Sequence, residues 1–178
     1  KAMAAEIRAA ALAPGLWSAP FLIDPESENC RKHPDLVLRN RKGEPIVFAL
    51  GSMGKWNAVD PTAPSAEAFL SGHAKKMVEW GYGYLKFDFL RAVIIHDDVV
   101  FHDRTMGRAQ AYKRGIDILR KAAGEDVMIG VWGGLFEANA GFVNINRPGS
   151  DVRGHWDPVA DYGHESRYTV RMRQTFAR

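Results

Sequence analysis

Four short stretches of the chain have the apolar content and length of strands: GLWSAPFLI (residues 15–23), YLKFDFL (84–90), VMIGVWGG (127–134) and FVNINR (142–147). The second shows its alternation most clearly. Successive strand side chains point to opposite faces, so Leu85, Phe87 and Phe89 are expected on one face and Tyr84, Lys86 and Asp88 on the other. Helical patterns stand between and around these strands. An alanine-rich one occupies residues 1–13 and stops at Pro14-Gly15. A second, which Ser65 is placed to cap, runs to about Trp80 and ends at Gly81. A third runs from about Gly107 to Ala123 before Gly124, and a last one from about Glu165 to the end. Residues 24–64 read as a long irregular stretch, with a short helix at 26–32 and a hairpin around Arg41-Lys42-Gly43-Glu44.

Strands that alternate with helices imply a parallel sheet with helical crossovers, an α/β fold. An open doubly wound sheet and a closed eight-stranded barrel compete for that description. None of the strands is followed by the glycine-rich turn of dinucleotide-binding folds. Charged residues at strand C-termini are instead where a TIM (β/α)8 barrel builds its active site. Such a barrel takes about 250 residues, and this chain offers about four strands. The expectation is a partial barrel that lacks its first and last strands, with residues 1–178 all part of one catalytic domain.

The 178 residues, 46% of them hydrophobic and 25% charged, suit a globular protein with one core. The net charge of +3 is spread among both signs, with no basic block of the kind that binds nucleic acid or a membrane surface. No apolar run approaches the roughly 20 residues of a membrane span. Cys30 stands alone, so there is no internal disulfide framework. The N-terminus KAMAAEIRAAALAPG reads as the interior of a domain, as if truncated, so a missing leader says little about export. The compartment stays open, with the cytoplasm the favoured expectation.

A core strand that carries Lys86 and Asp88 needs a reason. Asp88 is an end-of-strand carboxylate, and Asp151, in NRPGSDVRGHWDP, follows the fourth strand. Two carboxylates from different strands at one rim can act as nucleophile and general acid/base in glycoside cleavage. Lys86, on the face of Asp88, favours the ionised carboxylate that a nucleophile requires.

With those residues in view, GLWSAPFLIDPES, HPDLVL, AVDPT, EWGYGYLKFDFL, GRAQAYKRGIDILRKAAGEDV and RPGSDVRGHWDP together resemble the melibiase-type α-galactosidase family, over nearly the whole chain. The resemblance implies a (β/α) barrel and retaining hydrolysis of terminal α-glycosidic bonds, α-D-galactosides in oligosaccharides above all, through a covalent glycosyl-enzyme. It implies Asp88 as nucleophile and Asp151 as acid/base, with carboxyl groups about 5–5.5 Å apart. It places Lys86, Arg147 and Trp17 at sugar-binding positions. Trp132-Gly133 stands where the family commonly has cysteine next to glycine, which puts a larger side chain near the sugar's 2-position. The acidic residues that hold the sugar's 4- and 6-hydroxyls come from an early strand outside this chain. No metal or organic cofactor is needed; the partner is a glycoside substrate, and a homo-oligomer is one way to cover open strand edges.

Plainer readings stand beside these. Lys86 and Asp88 could form a structural ion pair, a costly arrangement with little return in stability. Asp151 is good turn chemistry after Pro-Gly-Ser, Arg147 could pair with a rim carboxylate, and Trp17 and Trp132 could be core. His96, Asp97, Asp98, His102 and Asp103 have the side chains of metal ligands, but a solvated loop is the better reading. His155, Trp156 and Asp157 order the loop after Asp151, and Arg167, Arg171 and Arg173 face solvent. A different class remains: a carbohydrate-binding or inactive fragment.

Overall fold

The computed structural model describes residues 1–49 and 54–147. The chain divides into two compact units, Lys1–Asn146 and Arg147–Arg178. The described strands are β1 (Gly15–Ser18), β2 (Leu22–Ile23), β3 (Arg39–Asn40), β4 (Val47–Ala49), β5 (Lys55–Ala58), β6 (Tyr84–Phe87), β7 (Val99–Val100), β8 (Met128–Trp132) and β9 (Ile145–Arg147). The helices are α1 (Ala2–Ala9), α2 (Glu28–Lys32), α3 (Ala66–Glu79), α4 (Arg108–Ala123) and α5 (Phe136–Asn139).

The four stretches expected as strands line up in one sheet in the order β1-β6-β8-β9. The β1/β6 and β6/β8 pairs are parallel, in the register Gly15↔Tyr84↔Met128 and Trp17↔Lys86↔Gly130. Strand order therefore follows chain order, with no reversal of the kind that makes a switch point in doubly wound sheets. The crossovers from β1 to β6 and from β6 to β8 carry α3 and α4, which pack against each other. Leu85, Phe87, Ile129 and Val131 are buried in one cluster with Leu70, Ala74 and Met77 of α3 and Ala111, Ile116 and Leu119 of α4. In α4 the apolar positions recur at helical spacing, which is why this charged helix has one firmly buried side. Close approach there needs Gly115, since a Cβ on it would lie 2.5 Å from the Phe21 ring.

A buried arginine ties the layers together. Arg120, 7% exposed, donates from Nε to the Phe142 carbonyl (2.7 Å), from Nη1 to the Gly124 and Val127 carbonyls (2.8 Å each) and from Nη2 to Asn144 Oδ1 (2.8 Å). Asn144 Oδ1 also accepts from the Ile129 amide (2.8 Å). One guanidinium thus fixes the end of α4 to the entry of β8 and the approach to β9.

Several expectations need correction. GLWSAPFLI is two strands in different sheets: Trp17 lies in the parallel sheet, while β2 pairs antiparallel with β5. Pro20, which has no N–H to donate to a ladder, sits between them. Residues 24–64 are not simply irregular, because β2, β5 and β4 form a three-stranded antiparallel sheet. The helix at the N-terminus ends at Ala9, short of the expected stop, and Ala11 turns left-handed (φ 58°). Ser65 does not cap α3 with its side chain; its amide and hydroxyl both donate to the Asp35 carboxylate, at 2.9 and 3.2 Å. Asp35, from the HPDLVL motif, therefore anchors the start of α3. Among the described residues no helix is long and apolar enough to cross a membrane.

Candidate active site

The strand β6 buries Leu85 and Phe87 completely and leaves Tyr84 and Lys86 half-buried on its other face, as the alternation predicts. The alternation stops there. Phe89 adopts a left-handed backbone (φ 54°), uncommon for a bulky residue, and so leaves the face of Leu85 and Phe87. Its ring meets Trp17 edge-on, with centroids 6.1 Å apart, and lies 5.7 Å from the Phe48 ring. Backbone strain of this sort costs about 1–3 kcal/mol and collects at functional sites.

Asp88 stands at the point where the strand ends and the turn begins. Its amide still donates to the Ser18 carbonyl (2.9 Å), which continues the β1/β6 ladder by one residue. Its carboxylate takes one hydrogen bond on each oxygen: Oδ1 from the Phe89 amide (2.8 Å) and Oδ2 from the Trp17 indole Nε1 (3.1 Å). The ammonium of Lys86 lies 4.6 Å from the centre of the Trp132 ring, within cation–π range. Among the described residues no ion pair joins Lys86 to Asp88. The structural ion pair weighed against a functional role is not what the molecule forms.

Register explains the grouping. Trp17 sits directly opposite Lys86, which sits opposite Gly130, and Trp132 lies two residues further along the same face of β8. The Trp132 ring folds back across Gly130, where a Cβ would come within 2.7 Å of it and within 2.6 Å of the Tyr84 hydroxyl. Only glycine leaves that room. Burial pushes the Tyr84 phenol above its ordinary range, so it enters this face as a neutral group. The strand end beyond Trp132 turns through Gly133, in left-handed conformation (φ 67°).

The structure thus brings Trp17, Lys86, Asp88 and Trp132 together at the C-terminal ends of adjacent parallel strands. Gly133 follows directly. Arg147 is the last residue of β9 and is half-buried. Asp151 lies outside the described residues, as do His155, Trp156, Asp157 and the arginines of the last expected helix. Sequence reasoning misses the aromatic pair Phe48 and Phe89. Alternation puts Phe89 on the opposite face, and nothing in a period-2 pattern signals a left-handed residue that is not glycine.

The loop of residues 96–103 has other occupations. Asp97 pairs with Arg108 (2.7 Å), and Val99–Val100 form β7 against β3. The His102 amide donates to Asp60 Oδ2 (2.7 Å), and Asp103 Oδ1 accepts from the Thr105 amide and hydroxyl at 2.9 and 2.6 Å. Those bonds hold the Asp103 carboxyl below its usual range. Asp60, 3% exposed, also accepts from the Thr62 amide and hydroxyl, at 2.8 and 2.7 Å, so the AVDPT motif clamps this loop. Among the described residues no group of three His, Cys, Asp or Glu side chains gathers as a metal site would require.

No family model matches the chain. Solved structures do. The α-galactosidase of Thermus thermophilus in complex with stachyose is 32% identical, with a TM-score of 0.72, over 87% of this chain and 32% of its own. The same protein in complex with p-nitrophenyl α-D-galactopyranoside gives the same identity and score. Two others share the fold at lower identity. A sulfoquinovosidase from E. rectale is 15% identical, with a TM-score of 0.65, over 82% of this chain and 23% of its own. The family 36 α-galactosidase of Geobacillus stearothermophilus is 18% identical, with a TM-score of 0.54, over 74% of this chain and 18% of its own. The chain spans about a third of the length of the Thermus enzyme. Sequence and fold agree: the chain has the fold of the melibiase-type α-galactosidases.

Proposed function

We propose that this chain supplies part of the active site of a retaining α-glycosidase that acts on terminal α-D-galactosides of oligosaccharides. The observation that carries the reading is the cluster of Trp17, Lys86, Asp88 and Trp132 at the C-terminal ends of neighbouring parallel strands. Strand order that follows chain order supports a barrel whose remaining strands lie outside the described residues. The likeness at 32% identity to a protein seen with stachyose supports a sugar as the occupant.

In this reading an Asp88 oxygen attacks the anomeric carbon, and the bond to the leaving oxygen breaks as Asp151 gives that oxygen its proton. Asp151, now a carboxylate, takes a proton from water, whose oxygen attacks the same carbon and breaks the ester to Asp88. Trp17 donates to Asp88 Oδ2 and the Phe89 amide to Oδ1, so the carboxylate is oriented before substrate arrives. Lys86 and Arg147 donate to sugar hydroxyls, Trp17 offers a ring face, and Trp132 with Gly133 bounds the pocket. A second reading, an α-glycosidase of another sugar, has one observation in its favour: the bulky Trp132 ring beside Lys86.

The test uses the protein that carries this chain and activated aryl α-glycosides, with azide as an external nucleophile. Asp88→Ala should lose turnover and regain it with azide, releasing the β-configured glycosyl azide. Asp151→Ala should yield the α-configured azide through a surviving glycosyl-enzyme. The wrong anomer from either variant would overturn its assignment. Turnover of another α-glycoside in place of galactoside would keep the mechanism and move the specificity.

A further inference from the structure

Lys86 and Asp88 are two positions apart on one strand face, about 7 Å between their Cα atoms. A lysine stem is long enough to close that gap, and a direct ion pair would leave neither charge available to a ligand. The structure avoids the pair by giving each charge a different indole. Trp132 holds the Lys86 ammonium 4.6 Å from its ring centre. Trp17 holds the Asp88 carboxylate through its N–H at 3.1 Å.

We infer that Trp17 and Trp132 are positioning residues that keep the Lys86–Asp88 charges apart and aimed outward. The inference rests on the glycosidase reading for its kinetic consequences but not for its geometry. Both indoles are themselves fixed. Trp17 abuts the edge of Phe89, whose left-handed backbone places its ring between Trp17 and Phe48. Trp132 reaches Lys86 because Gly130, opposite Lys86 in register, leaves its ring room to fold back. Trp17 is still 48% exposed, so its ring face stays available while its N–H is engaged. A carboxylate held on both oxygens by neutral donors, with the Lys86 ammonium drawn to an aromatic face, has a lone pair on each oxygen left over.

Two kinds of measurement decide it. In the protein that carries this chain, the Trp17 indole N–H resonance should move when Asp88→Asn is introduced. The Lys86 side-chain methylene resonances, shifted upfield by the Trp132 ring, should return to ordinary positions in Trp132→Leu. Signals that stay put in both variants would overturn the inference, whatever the activity. In turnover, Trp17→Phe keeps the ring and removes the donor, so kcat should fall about ten- to hundredfold with KM changed little. A change confined to KM would make Trp17 a sugar platform alone and overturn its part. In Trp132→Leu, freed Lys86 should collapse onto Asp88 and no longer serve the sugar, so Lys86→Met should lower kcat less in that background than in the wild type; simple additivity of the two losses would overturn that part. Should the wild type cleave no α-glycoside, the glycosidase reading fails, while the resonance shifts still decide the positioning claim.

Discussion

The two faces of the parallel sheet obey different rules. On the helix-covered face, Leu85, Phe87, Ile129 and Val131 are at most 2% exposed and pack within the apolar core. On the other face, Trp17 and Met128 are nearly half exposed, and Tyr84 and Lys86 are half-buried beside glycines that make room for rings. Burial alone accounts for the first face; volume and polarity are what matter, and many apolar sets would serve. The second face is organised by directed contacts, an indole N–H on a carboxylate and an ammonium on a ring. The same strand thus carries a stabilising face and a chemical one, and substitutions on adjacent residues should fail in different ways.

The largest effect tests that split directly. Phe87→Ala should lower the free energy of unfolding by about 3–5 kcal/mol in chemical denaturation, as deletion of a fully buried aromatic does. Lys86→Met should cost under about 1 kcal/mol, the range of a partly exposed cation–π contact, while removing turnover. Equal destabilisation by both would erase the distinction between the faces.

Next comes Arg120, charged yet belonging to the stabilising side. Arg120→Ala leaves the buried Val127 carbonyl and the part-buried Gly124 and Phe142 carbonyls without this donor and should cost about 3 kcal/mol. Arg120→Lys should recover little, because an ammonium cannot span the forked set of acceptors. Full recovery by lysine would mean that the charge, not the fork, holds the end of α4.

How much of this is written in the sequence differs between the faces in the same way. The four strands and the main helices follow from period and punctuation, since Gly81 and Gly124 stand just past α3 and α4. The placement of Lys86 opposite Leu85 needs nothing but alternation. The small sheet of β2, β5 and β4 is not legible, because two- to four-residue strands carry too little period to stand out. Ser65 has the residue type of a cap, yet Asp35, 30 residues away, supplies the acceptor; a long-range partner overrides a local preference. Phe89 escapes the pattern because its left-handed turn depends on packing against Trp17 and Phe48, which no local period encodes.

Two glycines sharpen the comparison at smaller magnitude. Gly115→Ala would press a methyl against Phe21, and Gly130→Ala would press one against Trp132 and Tyr84. Each should cost about 1–3 kcal/mol as overpacking does. Only Gly130→Ala should also disturb kcat and the Lys86 resonances, since it displaces the ring that holds the ammonium. A kinetic defect of equal size in Gly115→Ala would show that the helix layer and the charged face are coupled.

The smallest effect belongs to His73 on α3, a titratable group in the helix layer. Burial pushes its imidazole below the ordinary value of 6.5, and its Nε2 is buried without a hydrogen-bond partner among the described residues. The folded protein therefore favours the neutral ring, while the unfolded chain takes up a proton as pH falls through 6.5. Protons bound preferentially by the unfolded state lower stability, so the loss should begin below pH 6.5 and level off once the folded ring also titrates. Above pH 6.5 both states are neutral and the term vanishes. His73→Leu should remove this slope, read as the difference between denaturation curves of variant and wild type between about pH 7 and the onset of carboxylate titration. A difference that is flat across that range would mean the ring gains a proton in place, and that even the helix-covered layer admits a charge at His73.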